Sequence, residues 1–385
     1  MGKIKVFLIL SLLILVFVVG CGSGSNNSID ELKIGVSAPL TGDLAATGAS
    51  TKNAVLLAEE EINSSGGIKV NGKMMKVKFI IEDDENKPET TATVFQKLIS
   101  QDRVLAIIGS QASKCSNAGA PIAESNKIPQ ITPWSTNPNV TKDRKYVFRA
   151  CFIDPFQGKA VALFAYNKLG AKKAAVLYDI ASDYNKGIAE VFRDEFSNLG
   201  GQIVAFETYN TKDTDFSAQL TKIKATNPDV LFLPNYYNEV PLQIQQARKL
   251  GIDAQIIGAD AWDNPELLKL GGELLEGTYF SNHYAVDIAG DKSKAFIEKY
   301  KNKYGEVPDA AAALTYDAAY ILFGAIERAQ KADPQAIRDA IASTKDFEGV
   351  TGTISYNEGS GDPVKGAVII KIHDGKFIYD SSVKP

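Results

Sequence analysis

Few residues of this chain have the types and spacings that catalysis requires. Its 385 residues include two histidines, His283 near a predicted strand end and His373 beside a predicted turn, and we expect structural or surface roles for both. The sequence has no GxSxG or HExxH motif and no glycine-rich phosphate loop ending in Lys-Ser or Lys-Thr. Its three cysteines lack metal-ligand spacing. We therefore predict no catalytic residue, cofactor or metal, with an enzyme acting on small amides or peptides as the alternative.

Polar residues that could bind a ligand directly follow predicted strands. Tyr236 and Tyr237 come after one apolar run, and Asp260 with Trp262 comes after the next. A carboxylate flanked by aromatic rings is a favourable site for an ammonium group. Alternatively, Asp260 only caps the helix that is predicted to begin near Asn264.

Hydroxyl groups and free backbone N–H groups supply the complementary chemistry. Ser110, Gln111 and Ser113 lie between a predicted strand and a predicted helix, whose first N–H groups suit an anion such as a carboxylate. Ser135 and Thr136 add two hydroxyl groups on a proline-bounded loop. Ordinary helix capping is the alternative for each hydroxyl. Carboxylate donors on one unit and an ammonium acceptor on another would hold a zwitterion between them.

The elements that must position these groups alternate between short β-branched runs and amphipathic segments of helical length. This alternation predicts an α/β fold with parallel sheets that helices cover on both faces. The rhythm stops near Pro155 and restarts, so we predict two doubly wound, Rossmann-like units in tandem. In the first unit, strands are predicted at residues 32–40, 76–85 and 104–110 and helices at residues 49–62, 89–100 and 113–125.

The second unit repeats the same alternation before the chain becomes mostly helical. Its strands are predicted at residues 174–180, 202–210, 229–235 and 255–260, and its helices at residues 183–199, 216–225 and 240–250. Later helices are predicted at residues 295–305 and 310–330 and after the cap formed by Asp333 with Pro334. The chain ends in a strand at residues 351–357 and a hairpin at residues 367–380 with an Asp374-Gly375 turn.

The N-terminus has the composition of an export signal. Lys3 and Lys5 precede an apolar run of about fourteen residues, shorter than the roughly 20 that cross a bilayer. Cys21 follows, and then a Gly/Ser/Asn run, a pattern that resembles the bacterial lipobox. We predict a signal peptide at residues 1–20, a flexible tether at residues 21–31 and a lipid on Cys21 that holds the protein outside the cytoplasm of a bacterium. An incidental cysteine is the alternative.

Charge and size limit the partners that we expect. The formal net charge is −4 for the whole chain and about −6 without residues 1–20, and no basic block is present, so nucleic acid is not expected. About 365 residues after cleavage exceed what one hydrophobic core usually serves, which predicts two domains. We expect a monomer in which Cys115 and Cys151 are unpaired thiols, with a disulfide between them as the alternative.

From Leu32 to its C-terminus, the chain resembles the branched-chain amino acid binding proteins of ABC importers, which belong to the periplasmic-binding protein type I group. The resemblance rests on the order and spacing of IGVSAPLTGDLAATG, IIGSQASKCSNAGAPIAESNKIPQITPWSTNP, FRACFIDPFQG, and FLPNYYNEVPLQIQQARKLG with IIGADAW. It implies two lobes joined by three crossing strands, near residues 152–155, 281–284 and 354–357, that close on a solute. Lobe 1 would comprise residues 30–153 plus 283–355, and lobe 2 residues 154–282 plus 356–385.

The resemblance also implies a role for six residues by their positions. Ser113 and Thr136 would bind the ligand carboxylate, and the Trp134 carbonyl with the Asp260 carboxylate would bind the ammonium group. Tyr184 and Tyr236 would close over the ligand from the second lobe. Members of the group often have Glu where this chain has Asp260.

The side-chain pocket departs further from the pattern of the group. An aromatic residue often stands at the position of Thr47, a small residue at that of Trp134, and apolar or aromatic residues at those of Gln111 and Ala311. Trp134 either stacks on a flat ligand or fills the volume that is missing at Thr47, and Gln111 is placed to reach a polar ligand. A branched-chain ligand is therefore not assumed.

The function that the resemblance implies is capture of an amino acid, or a close analogue, for delivery to the membrane subunits of an ABC permease. The alternative is a sensor of the same fold that binds small amides or carboxylates and signals to a partner protein.

Overall fold

The computed structural model describes residues 31–384, so the predicted signal peptide, the tether up to residue 30 and Cys21 lie outside the described residues. The strands are β1 (Glu31–Ala38), β2 (Ile68–Val70), β3 (Lys73–Asp83), β4 (Ala106–Ile108), β5 (Gln130–Thr132), β6 (Val147–Arg149), β7 (Lys173–Asp179), β8 (Gln202–Tyr209), β9 (Val230–Leu233), β10 (Gln255–Gly258), β11 (Tyr279–Asn282), β12 (Phe347–Gly349), β13 (Gly352–Ile354), β14 (Ala367–His373) and β15 (Lys376–Val383).

Helices occupy most of the connections between these strands. They are α1 (Ala45–Ser64), α2 (Pro88–Ser100), α3 (Ser113–Ser125), α4 (Asp154–Leu163), α5 (Asp183–Asn198), α6 (Ser217–Thr226), α7 (Val240–Lys249), α8 (Pro265–Gly271), α9 (Asp291–Tyr304), α10 (Ala310–Ala329) and α11 (Pro334–Ala342). Among residues 31–384, none of the helices combines the length and the apolar character needed to cross a bilayer.

The first large sheet is doubly wound around β1. Its six strands follow the order β2-β3-β1-β4-β5-β6, and all neighbours are parallel except the β2–β3 hairpin. The chain therefore continues to opposite sides of β1 through β3 and β4. In open α/β sheets, ligands bind at the carboxyl ends of the strands beside such a switch point.

The second large sheet repeats this arrangement with an antiparallel extension. Its order is β15-β14-β11-β10-β9-β7-β8, with parallel pairs from β8 through β11 and antiparallel pairs at β14 and β15. The switch point lies between β7 and β9. The prediction of an α/β fold with two doubly wound units is confirmed.

The C-terminal third of the chain contributes elements to both units. After β11 it forms α9, α10 and α11, and α10 packs against α1 of the first unit. The following segment returns to β14 in the second sheet. Since the buried strands are almost continuously apolar, burial of both sheet faces stabilises each unit.

Most of the predicted elements are present, with differences at their ends. Helix α3 begins and ends as predicted, and the predicted C-terminal hairpin is confirmed, with φ of 51° at Asp374 and 66° at Gly375. The β2–β3 hairpin was missed. Its turn is Asn71-Gly72, with φ of 49° and 80°, which is a strong short-range hairpin signal.

Arg149, at the end of β6, ties the first sheet to the returning C-terminal segment. The guanidinium group is fully buried and forms an ion pair with Asp362, with Nε 2.6 Å from Oδ1. It also donates to the Ser135 and Asn137 carbonyls and to the Thr141 hydroxyl. One side chain therefore holds the loop that carries Thr136 next to the segment that leaves the first unit.

Replacing Arg149 with Met should lower the free energy of unfolding by about 3 kcal/mol, because it removes the cation that pairs with Asp362 and a donor to two buried carbonyls. Urea denaturation monitored by circular dichroism measures the change. The matched control is Arg193→Met, since Arg193 is partly exposed, pairs with its neighbour Asp194 and lies over the Phe206 ring, and we expect less than about 1 kcal/mol there. Equal losses would contradict the role given to Arg149.

Candidate functional site

The carboxyl ends of the two parallel sheets face each other across one small cavity. The lining residues come from both units and are Gln111, Ser113, Trp134, Tyr184, Tyr236, Asp260 and Ala261. Six of the residues predicted from the sequence to bind ligand therefore lie together at this cavity.

Asp260 lies in a short 3₁₀ turn, Asp260–Trp262, directly after β10. The Trp262 indole packs on Gly258, where an added Cβ would come within 2.1 Å of the ring. Its Nε1 donates to the Leu233 carbonyl on β9. The turn is therefore fixed by packing. The alternative that Asp260 caps the next helix is wrong, because the Asn264 side chain accepts the N–H of Glu266 there.

The Asp260 carboxylate is buried and accepts three hydrogen bonds. Tyr184 Oη and Gln157 Nε2 donate to Oδ1 over 2.6 and 2.7 Å. The His283 Nε2 atom lies 3.0 Å from Oδ2. A carboxyl group that only accepts hydrogen bonds has the pattern of an ionised carboxylate.

None of these three donors compensates the negative charge. Burial raises the pKa of Tyr184 well above 10.0. Burial also lowers the pKa of His283, against an opposing hydrogen bond to Asp260, so the imidazole is neutral at pH 7 and donates from Nε2. Because Gln157 is uncharged as well, none of the three hydrogen-bond donors to Asp260 carries a positive charge.

His283 has a structural role, which is one of the two roles expected from the sequence, but its contact with Asp260 was not predicted. It is buried, hydrogen-bonded to Asp260 and stacked on Phe152 with ring centroids 3.8 Å apart. The available signal was its position just after β11, the strand beside the one that leads to Asp260.

A second acid, Asp154, lies in the same interior. It is the first residue of α4, one turn before Gln157, and neither carboxyl oxygen has a hydrogen-bond partner that meets standard geometry among the described residues. Burial and, to a lesser extent, the Asp260 charge raise its pKa to about 7, against the opposing effects of the Thr136 hydroxyl and the Arg149 guanidinium group. The two acids therefore share a region that favours a cation.

The opposite side of the cavity presents hydrogen-bond donors. Ser113 begins α3, a helix of 13 residues, so its hydroxyl lies beside the first N–H groups and the positive end of the helix dipole. Its Oγ accepts the N–H of Asn137 at 3.3 Å, which leaves its own proton for another acceptor. Thr136 is buried and does not line the cavity, and its hydroxyl lies near the Asp154 carboxyl group.

Buried hydrogen bonds fix the loop that presents Gln111 and Ser113. Ser37 Oγ, near the end of β1, donates to Asp84 at 2.9 Å and lies 2.8 Å from Ser110 Oγ. Burial raises the pKa of Asp84 above 3.8. The ends of three neighbouring strands are thus joined by side chains at the edge of the site.

Aromatic and amide groups join the two units across the cleft. Trp134 meets Tyr236 edge to face with centroids 6.4 Å apart, and Tyr236 lies 5.4 Å from Tyr184. Asn117 Nδ2 donates to the Asp183 carboxylate, and Asn137 Nδ2 donates to the Asp183 carbonyl. The lobes are therefore in direct contact around a cavity closed by aromatic rings.

Three of the nine predicted ligand-binding residues, Thr47, Ser135 and Thr136, do not line the cavity. Thr47 is buried on α1, and its hydroxyl lies near Tyr237. The Ser135 hydroxyl is used internally, since it lies 2.7 Å from Ser116 Oγ and donates to the Gln111 carbonyl at 2.8 Å. The Ser135 hydroxyl is thus occupied within the protein, and its contact with a ligand stays a prediction.

The cysteines and the potential metal ligands lie outside the lining of the cavity. Cys115 and Cys151 are unpaired and buried, as predicted, and burial raises the pKa of each thiol to about 12. Among residues 31–384, one group of side chains is close enough to share a metal ion, namely Glu276, His373 and Asp374, all of which are exposed.

The chain is similar in sequence to proteins of a known family. The family model described as a periplasmic binding protein matches residues 31–376. The chain belongs to the periplasmic binding protein family. A leucine-, isoleucine-, valine-, threonine- and alanine-binding protein of Pseudomonas aeruginosa is 29% identical over 330 residues, which cover 86% of each protein.

The chain also resembles proteins of this family whose structures have been solved. The leucine-binding protein LivK of Thermotoga maritima is 40% identical with a TM-score of 0.87, over 92% of this chain and 99% of its own. The branched-chain amino acid binding protein LivJ of Streptococcus pneumoniae, in complex with isoleucine, is 36% identical with a TM-score of 0.86, over 92% of this chain and 100% of its own.

The raised pKa of Asp154 predicts how stability of the ligand-free binding protein depends on pH. The folded protein holds the Asp154 proton up to about pH 7, whereas an unfolded aspartate loses it near pH 3.9. The contribution is therefore complete below about pH 4 and is lost as pH rises to about 7, at up to about 1.4 kcal/mol per pH unit.

Asp154→Asn should remove this part of the pH dependence, so the variant gains stability relative to the original protein at pH 8 but not at pH 4. Urea denaturation at a series of pH values measures the difference. Asp253→Asn, at an exposed position, is the control. Parallel stability curves for Asp154→Asn and the original protein would show that Asp154 does not titrate in this range.

Proposed function

We propose that the protein binds a free α-amino acid, or a close analogue, between its lobes and delivers it to an ABC importer. The observation that carries the proposal is the buried Asp260 carboxylate, which receives three neutral donors beside a second buried acid. An ammonium group supplies both the missing positive charge and further hydrogen-bond donors.

The ligand ammonium group would lie against Asp260 and the backbone carbonyl of Trp134. Desolvating a carboxylate is costly unless an opposite charge pairs with it. Asp154 is a second buried acid whose pKa is raised in part by the Asp260 charge. Capture of the ligand thus relieves an electrostatic cost that the folded protein carries.

The ligand carboxylate would bind on the other side, at Ser113 and Thr136. The Ser113 hydroxyl proton is free to donate, and the N-terminus of α3 favours an anion. Tyr184 and Tyr236, from the second unit, would exclude water and so strengthen both sets of electrostatic contacts. A molecule with only one of the two charges would satisfy half of the site.

Delivery requires that the lobes separate and close again. The predicted boundaries, residues 30–153 plus 283–355 and residues 154–282 plus 356–385, are our proposal for the two moving bodies, with hinges near the three crossings. The names of the similar proteins, which include binding proteins for leucine, isoleucine and valine, support an amino acid ligand and transport over catalysis.

Replacing Asp260 with Asn should weaken amino acid binding at least about 30-fold, the equivalent of about 2 kcal/mol, because the buried ammonium group loses its counter-charge. Isothermal titration calorimetry against a panel of amino acids and uncharged small amides measures the change. The matched control is Asp263→Asn, because Asp263 is buried three residues further but binds Asn282 and the Ala310 N–H.

The result for uncharged amides is decisive for this proposal. If an amide binds and no zwitterion does, the amino acid assignment is wrong. An unchanged affinity in Asp260→Asn would remove Asp260 from the site even if amino acids bind.

We also propose that Cys21 carries the lipid that anchors the protein to the outer face of a bacterial membrane. A tethered binding protein stays near its importer, which raises its effective concentration there. Cys21→Ser should abolish incorporation of labelled fatty acid and should release the protein from the membrane fraction. Cys115→Ser, at a buried unpaired thiol, should keep the label, and retention of label in Cys21→Ser would exclude this anchor.

A further inference from the structure

Two polar atoms on the cavity wall are not used by the charged groups of the proposed ligand. Gln111 Oε1 and Trp134 Nε1 have no hydrogen-bond partner among the described residues, although the two residues are 1% and 5% exposed. Both side chains line the same cavity as Ser113 and Asp260. Because unpaired buried polar groups are costly, these atoms indicate a ligand group that pairs with them.

A residue of α10 holds the Gln111 amide in place. Its Nε2 lies 3.3 Å from the hydroxyl of Thr315, which is fully buried. In either orientation of the amide, Thr315 takes one of its two polar atoms and the other remains for the ligand. The side chain is therefore a fixed hydrogen-bonding group and not a flexible filler of volume.

The Trp134 indole supplies a hydrogen-bond donor. Its ring is positioned by the edge-to-face contact with Tyr236, and indole Nε1–H can only donate. A ligand side chain that bonds to both Trp134 and Gln111 must accept one hydrogen bond and form a second. A hydroxyl group or a primary amide does this, whereas an aliphatic group leaves both protein atoms unpaired.

We infer that the site selects amino acids with a short hydroxyl or primary amide side chain over aliphatic amino acids of the same shape. This inference rests on the proposed function and narrows its substrate class. The cavity is small and is lined by side chains of both units, which favours a compact ligand. Discrimination arises because the aliphatic analogue buries the same area without pairing Gln111 and Trp134.

Threonine and valine test the inference, because they differ by a hydroxyl in place of a methyl group. We expect threonine to bind the purified full-length protein in detergent at least about 10-fold more tightly than valine, by isothermal titration calorimetry. Gln111→Leu and, independently, Trp134→Phe should each reduce this ratio to about threefold or less. Gln96→Leu, at an exposed position on α2, should leave the ratio unchanged.

The outcomes separate this inference from the proposed function. If valine binds as tightly as threonine or more tightly, the side-chain selection is overturned while amino acid binding stands. If no amino acid binds, the proposed function itself fails. A lower threonine-to-valine ratio in Gln111→Leu together with an unchanged melting temperature supports direct pairing, and an unchanged ratio in both variants excludes it. If neither variant folds, the ratio in the original protein decides.

Discussion

The buried Asp260 carboxylate is the interaction on which the rest of the site depends. Removing a negative charge from water costs several kcal/mol, by general estimates for buried ions, and Tyr184, Gln157 and His283 offset this cost only with neutral hydrogen bonds. These donors come from three separate elements that follow β6, β7 and β11. Several loops of the fold therefore meet at this carboxylate. Its negative charge still requires a cation as a partner.

The two doubly wound sheets explain why this point faces a second set of groups. Each sheet places loops at the carboxyl ends of strands beside its switch point. The first sheet contributes Ser113 and Thr136, and the second contributes Tyr184, Tyr236 and Asp260. A ligand with two opposite charges pairs with both sets at once, so its binding free energy favours closed lobes over open ones.

The fold was predictable from the sequence, because the alternation of apolar runs and amphipathic segments sets the order of the elements. Ser113, Tyr184, Tyr236 and Asp260 were assigned by resemblance, and the structure brings them to one cavity. Gln157, Asp154 and His283 were missed, since their roles depend on tertiary contacts. The internal hydrogen bonds of Ser135 could not be predicted, because the sequence shows that a hydroxyl is present but not which way it turns.

The most direct test of the central claim is a crystal structure of the protein with its preferred amino acid. Our account predicts that the ligand nitrogen lies within hydrogen-bond distance, roughly 2.7–3.2 Å, of an Asp260 oxygen and that its carboxylate faces Ser113 and Thr136. A ligand bound in the reverse orientation, or with its nitrogen away from Asp260, would contradict the account.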